Sequence, residues 1–95
     1  MSNHYKLVNG EPVKCDLMEW AEFFTEDNMR IAKDEIGDVN ISTVFLGLDH
    51  QYGDGPPLLY ETMIFGGEHD GYQERYSTEE QAKRGHKKAC EMVEA

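Results

Sequence analysis

The chain has 95 residues and a formal net charge of -10. A chain of this length is expected to form one domain, residues 1–95, with a small core and little room for a long catalytic cleft. A surface this negative repels nucleic acid and anionic membranes, so neither is expected as a direct partner. It suits a basic partner, including a protein that itself binds nucleic acid, although the same charge also serves solubility alone.

Most of the negative charge lies in the middle of the chain. Residues 16–38 carry eight acids and two bases, and residues 39–78 carry six acids and Arg75. The N-terminus lacks the apolar segment of a signal peptide, and no apolar run reaches the roughly 18 residues of a membrane span. Cys15 and Cys90 form no CxxC pair, so two reduced thiols are expected, with a disulfide as the alternative. We therefore expect a cytoplasmic protein.

The first predicted unit is a β-hairpin. Asn9-Gly10 separates two short β-rich runs, residues 4–8 and 11–15. This dipeptide is typical of a type I′ turn, in which both central residues have positive φ.

A helix is predicted directly after the hairpin. Asp16 suits its N-cap, and Glu19 completes a capping box by reaching back to the cap amide. An apolar stripe at helical spacing is expected to pack on the core, while acids take the other faces. Its members are Leu17, Trp20, Ala21 and Phe24.

Four strands and a last helix are predicted after that. The strands are residues 29–33, 39–48, 58–65 and 72–76, with a turn at 34–38 in which Gly37 has positive φ. For residues 29–36, continuation of the helix to Ile36 is the alternative. Ser77 with Glu80 predicts a second capping box, and Gly85 inside that helix indicates close packing on the sheet. The order β-β-α-β-β-β-β-α predicts an α+β fold: an antiparallel sheet of about five to six strands with two helices packed on one face.

The connection between the two central strands is the first candidate binding site. It is polar, stiffened by prolines and longer than most hairpin loops. Such a loop presents its groups at little cost in ordering entropy, although an ordinary turn is the alternative. The candidate binding residues in it are Asp49, His50, Tyr52, Gly53, Asp54, Gly55, Pro56 and Pro57.

Glu61 and Arg75 complete the candidate binding residues. Glu61 is flanked by apolar neighbours on its strand face, and packing alone does not explain it. Strand ends would bring Asp49, His50, Glu61 and Arg75 near one another, so a small acid–base enzyme is an alternative. The pairs Asp49-His50 and His69-Asp70 lie at opposite ends of one predicted strand. We therefore predict no metal site and no cofactor, and expect His86 to be a helix histidine packed on the sheet.

Several runs resemble one family of small tailed-phage and prophage proteins. They are STVFLGLDH at 42–50, GPPLLYETMIFGG at 55–67, RYST at 75–78 and the pair Gly85-His86. The resemblance covers roughly residues 16–90, and Tyr52 and Tyr60 stand where the family has Phe. It implies a phage-encoded origin and names no catalytic residue.

The leading hypothesis is a non-enzymatic phage accessory protein that binds a host or phage macromolecule. It would use the loop of residues 49–57, the acidic region of residues 16–38, or both. An acidic inhibitor of a nucleic-acid-targeting host defence protein is one form of it, and a homodimer is compatible with it. The alternative is a protein that sequesters a nucleotide-like signal, with Arg75 and loop amides as anion contacts. A small enzyme using Asp49, His50 and Glu61 comes third.

Overall fold

The computed structural model describes residues 3–49 and 55–95. The predicted α+β class is confirmed, but the strands form two antiparallel sheets where one was expected. The first sheet is β1-β2 and the second has the order β3-β4-β5-β6. In chain order the elements are β1 (His4–Val8), β2 (Glu11–Cys15), α1 (Leu17–Phe23), α2 (Glu26–Met29), β3 (Arg30–Ile36), β4 (Val39–Phe45), β5 (Tyr60–Phe65), β6 (Gln73–Tyr76) and α3 (Glu79–Glu94).

The hairpin forms as predicted and is joined to the larger sheet at one corner. Asn9 and Gly10 have φ of 53° and 81°, as a type I′ turn requires. The amide of Tyr5 donates to the carbonyl of Gly47 at 2.7 Å, and His4 forms an isolated bridge with Leu48. The start of β1 therefore lies beside the segment that follows β4.

The larger sheet is an antiparallel meander. The strand predicted at 29–33 instead runs over β3, because pairing with β4 extends to Ile36 opposite Val39. The turn is therefore only Gly37-Asp38, with Gly37 at φ 60°. The strand predicted at 39–48 ends at Phe45, and the chain turns at Gly47, whose φ is 73°.

One helix, α3, covers one face of this sheet and contacts all four of its strands. Ala82, His86 and Ala89 are the buried residues of α3. Opposite them lie fully buried side chains of β4 and β5, namely Ile41, Thr43, Phe45, Tyr60, Thr62 and Ile64. This interface is the core of the fold.

The N-terminal cap of α3 and its packing at Gly85 were both predicted from the sequence. Its capping box uses Thr78 and Gln81, one residue later than predicted, because the Gln81 side chain accepts from the amides of both Ser77 and Thr78. The close packing predicted at Gly85 is confirmed: a Cβ there would lie 2.0 Å from the Tyr76 hydroxyl.

The other two helices join this core through Phe23 of α1 and Met29 of α2, which pack with Phe45 and Ala82. α1 lies against β1, where the Lys6 ammonium and the Glu19 carboxylate form an ion pair of 2.8 Å. α2 is a single turn that the sequence patterns did not predict, capped by Thr25. The described residues form three helices where two were expected, and α1 has its main contact with β1 of the hairpin. In the described part of the chain no helix is both long and apolar enough to cross a membrane.

Candidate functional site

The loop predicted as a binding site is closed at its base by Asp49. Its side-chain Oδ1 accepts from the amide of Leu58 at 3.2 Å, and its own amide donates to the carbonyl of Asn3 at 3.1 Å. Asp49 thus fixes where the loop begins and ends. Gly55 and Pro56 are exposed, and Pro57 is half-buried. The predicted residues His50, Tyr52, Gly53 and Asp54 lie outside the described residues.

Glu61 and Arg75 are brought together on neighbouring strands. They are direct partners in the β5-β6 register, and the Arg75 Nε donates to Glu61 Oε2 at 2.9 Å. The Gln73 side-chain amide donates to the same oxygen. Glu61 is buried, so the carboxylate that sequence reasoning left unexplained is held by two donors. Asp49 contacts Leu58 instead, before β5 begins.

Three of the four members of the apolar stripe predicted on α1 are exposed, and the fourth, Trp20, is half-buried. Leu17, Met18 and Phe24 are 58%, 71% and 55% exposed, Ala21 is exposed too, and α1 has no buried residue. Since a helix turns about 100° per residue, Leu17, Ala21 and Met18 are neighbours around its axis. The prediction that this stripe packs on the core is therefore wrong for Leu17, Ala21 and Phe24.

The inward side of α1 is held by two aromatic residues. The Trp20 indole lies over Gly47, its Nε1 donates to the carbonyl of Leu46 at 3.4 Å, and its ring contacts Phe24. Phe23 meets Phe45 edge to face, with ring centroids 6.0 Å apart. Because these two anchors set the rotation of α1, the positions that share the stripe with Trp20 are turned towards solvent.

Acidic groups border the exposed stripe. Glu19 and Glu22 occupy the remaining outer positions of α1, and Asp16 stands at its N-cap, where its side chain accepts from the Glu19 amide. Hydrogen bonding and charge attraction between Lys6 and Glu19 lower the pKa of Glu19 and raise that of Lys6. We define the α1 surface as the apolar residues Leu17, Met18, Ala21 and Phe24 with the acids Asp16, Glu19 and Glu22.

The α1 surface has the composition of a protein-docking patch. Exposed apolar side chains scattered singly are ordinary, whereas a contiguous apolar patch rimmed by polar groups is typical of interaction sites. Helical periodicity in the sequence identified the stripe, but we expected it to pack on the core. The density of acids directly beside the stripe was the signal that could have indicated its exposure.

A second candidate site is a groove on the sheet face that α3 leaves uncovered. It is a groove of about 380 Å³, with Met29, Arg30 and Lys33 on one side. The remaining lining residues are Glu26, Asn40, Ser42, Val44 and Phe65. Arg30 also donates to Glu26 at 2.6 Å, so part of its charge is compensated. This groove could take a small anionic ligand through Lys33, but Arg75 does not line it.

Comparisons with protein-family models, with curated proteins and with solved structures found no match. The geometry of the α1 surface therefore carries the functional argument by itself.

Proposed function

We propose that this chain is a non-enzymatic, phage-encoded accessory protein that binds a host or phage protein in the bacterial cytoplasm. The observation that carries the proposal is the exposure of the α1 surface, where an amphipathic stripe that is core-like in pattern faces solvent. The acidic region of residues 16–38, rather than the 49–57 loop, then supplies the contact.

Burial of the α1 surface would drive association. Covering a large apolar side chain completely contributes about 1.5–3 kcal/mol, and Leu17, Met18 and Phe24 each have roughly half of that still to gain. Such apolar anchors at the centre of a patch, with charges around them, are the usual energetic pattern of a protein interface. Their positions on α1 suit docking into an apolar groove or against a second helix.

The charges around the α1 surface select the partner. Asp16 and Glu22 would face basic side chains, which speeds encounter and penalises acidic partners, whereas Glu19 is already paired with Lys6. A second copy of this chain would place acid against acid, so a homodimer through this surface is disfavoured. A basic, nucleic-acid-targeting host protein fits, because its surface already recognises dense negative charge.

Matched variants test the proposal by affinity capture from host cells followed by binding of the recombinant partner. The docking variant is Leu17→Ser/Met18→Ser/Phe24→Ser. The control is Val8→Ser/Val13→Ser/Phe65→Ser, which removes three exposed apolar side chains elsewhere. We expect the wild type to capture a basic partner. The wild type and the control should bind that partner at least tenfold more tightly than the docking variant does. Equal binding by all three proteins would overturn the proposal. A loop variant, His50→Ala/Asp54→Ala, is measured beside them, and loss of binding only in that variant would show that the loop makes the contact instead.

The sheet groove supports a second candidate, a protein that sequesters a nucleotide-like anion. Lys33 is exposed at the groove and has no ion pair within the described ranges 3–49 and 55–95. A ligand at 100 times its dissociation constant stabilises a protein by about 2.7 kcal/mol, which a thermal-shift screen of nucleotides detects. A shift in the wild type that Lys33→Ala abolishes would favour this candidate over the docking protein, and the absence of any shift would reject it.

A further inference from the structure

Three potential metal ligands converge where α3 crosses the edge strand β3. They are Asp34 of β3 with His86 and Cys90 of α3, and their ligand atoms all lie within 4.8 Å of one another. His86 Nε2 lies 2.7 Å from Asp34 Oδ2, and Cys90 Sγ lies 3.7 Å from the same oxygen. His86 and Cys90 are four residues apart, so successive turns of α3 place them on one face.

The imidazole of His86 is oriented by a buried hydroxyl pair. Its Nδ1 lies 2.7 Å from Thr43 Oγ1, and the Thr43 and Thr62 hydroxyls are 2.5 Å apart. Both threonines are fully buried. This leaves Nε2 as the ring atom that points at Asp34 and Cys90. Metal-binding histidines are commonly held in this way, with the second ring nitrogen on a polar group of the protein.

An ion could reach these atoms from solvent. They line an open groove of about 330 Å³, and the Asp34 side chain is 57% exposed. Glu94 lines the same groove four residues beyond Cys90, and Lys83 and Lys87 stand beside it. The groove therefore offers a thiol, an imidazole and carboxylates as metal ligands, and it has room for a water molecule.

We propose that Asp34, His86 and Cys90 bind one zinc ion, with the fourth position open to the groove. Carboxylate, imidazole and thiolate are all zinc ligands, and three protein ligands with one open position is a known zinc arrangement. Bonds of about 2.0–2.3 Å in a tetrahedron set the ligand atoms roughly 3.3–3.6 Å apart. The exposed carboxylate of Asp34 would move outward from His86, and the Cys90 side chain would turn towards the ion, because the three ligand atoms lie within 4.8 Å of one another.

Binding exchanges protons for the ion. The thiol proton of Cys90 passes to solvent, because zinc binds the thiolate. A neutral His86 would bind through Nε2 with its one ring proton on Nδ1, which then donates to Thr43 Oγ1. Burial, followed by the charges of Asp34 and Glu94, raises the pKa of the Cys90 thiol. Asp34 of β3 and Lys83, His86, Lys87 and Glu94 of α3 are the titratable groups that line the groove.

Cobalt(II) is the probe for this site, since a thiolate bound to it gives a charge-transfer absorption in the near ultraviolet. We expect that band at one equivalent per chain and its loss when zinc is added. Cys90→Ser should abolish the band, and Asp34→Asn should weaken cobalt binding at least tenfold. Cys15→Ser, which removes the other thiol, should leave both unchanged.

Circular dichroism of each metal-free variant confirms that it folds, and calorimetry in buffers of different ionisation enthalpy counts the protons released. Absence of the band, a band that survives Cys90→Ser, or a band that Cys15→Ser removes would each overturn the proposal. The docking variant of α1 should bind cobalt as the wild type does, so the two proposals fail separately.

Discussion

The two helices with clear amphipathic patterns differ in whether their apolar face is buried. α3 buries Ala82, His86 and Ala89 against the sheet, whereas α1 buries none of its residues. Both have apolar residues at helical spacing, so the pattern defines a face in each case. What covers that face depends on the strands beside it: α3 spans four of them, and α1 is fastened to a two-stranded hairpin. The comparison teaches that an amphipathic stripe can belong to an interface as readily as to a core.

The sharpest test of this contrast makes the same substitution on both helices. Ala89→Glu places a charge where Ala89 is fully buried, and we expect a loss of more than about 4 kcal/mol in the free energy of unfolding. Ala21→Glu lies on the exposed side of α1 and should change that free energy by no more than about 0.5 kcal/mol. Urea unfolding followed by circular dichroism measures both. Comparable losses would mean that α1 packs like α3.

Gly47→Ala tests the anchor that orients α1. Gly47 has φ of 73°, and a Cβ there would lie 2.4 Å from Trp20 Nε1 and 2.8 Å from the carbonyl oxygen of Tyr5. The left-handed backbone and the clash together should cost about 3 kcal/mol. Thermal unfolding measures the loss, and tryptophan fluorescence should report a more exposed Trp20. A stable variant with unchanged fluorescence would contradict this anchoring.

Gly85→Ala tests the packing of α3 from the other side. In an open helix this change stabilises by about 1 kcal/mol, since alanine is the better helix former. Here the new Cβ would meet the Tyr76 ring and hydroxyl, so we expect a loss of about 2 kcal/mol. In a Tyr76→Leu background the same change should cost less, because its obstacle is gone. Equal costs in both backgrounds would show that Tyr76 is not the obstacle.

The smallest expected effect concerns the charges beside the α1 surface. The Lys6 ammonium lowers the pKa of Glu19, so this pair stabilises the folded state above the ordinary Glu range near 4.5 and the contribution is lost as pH falls through the lowered pKa. Lys6→Met should return the pKa of Glu19 towards its ordinary value. An NMR titration of the Glu19 carboxyl carbon measures it, and an identical pKa in both proteins would refute the pairing.

Local rules predicted much of the fold because local chemistry determines those parts. Asn9-Gly10 can form few turns other than type I′, and Asp16 with Glu19 caps α1 as expected. Strand ends were less predictable, since the pairing of β3 with β4 extends through residues that look like a turn, ending at Ile36 opposite Val39.

The sites were harder to predict than the elements because they depend on contacts between distant residues. The spacing of His86 and Cys90 puts both on one helix face, but no spacing in the chain places Asp34 beside them, because that depends on β3 lying under α3. Glu61 was noticed as a polar residue among apolar ones, but its partner Arg75 follows from the β5-β6 register. The exposure of Leu17 and Phe24 depends on where Trp20 finds its contact with Gly47.

The most direct measurement of the central claim is a fluorescence titration of Trp20, the one tryptophan in the chain, which contacts Phe24 of the α1 surface. The ligand is a synthetic amphipathic helix with lysine on one face and leucine on the other, and a peptide of the same composition without that pattern is the control. We expect saturable binding of the patterned peptide that weakens with salt and is lost in Leu17→Ser/Met18→Ser/Phe24→Ser. Equal responses to both peptides, or patterned binding that survives the triple substitution, would contradict it.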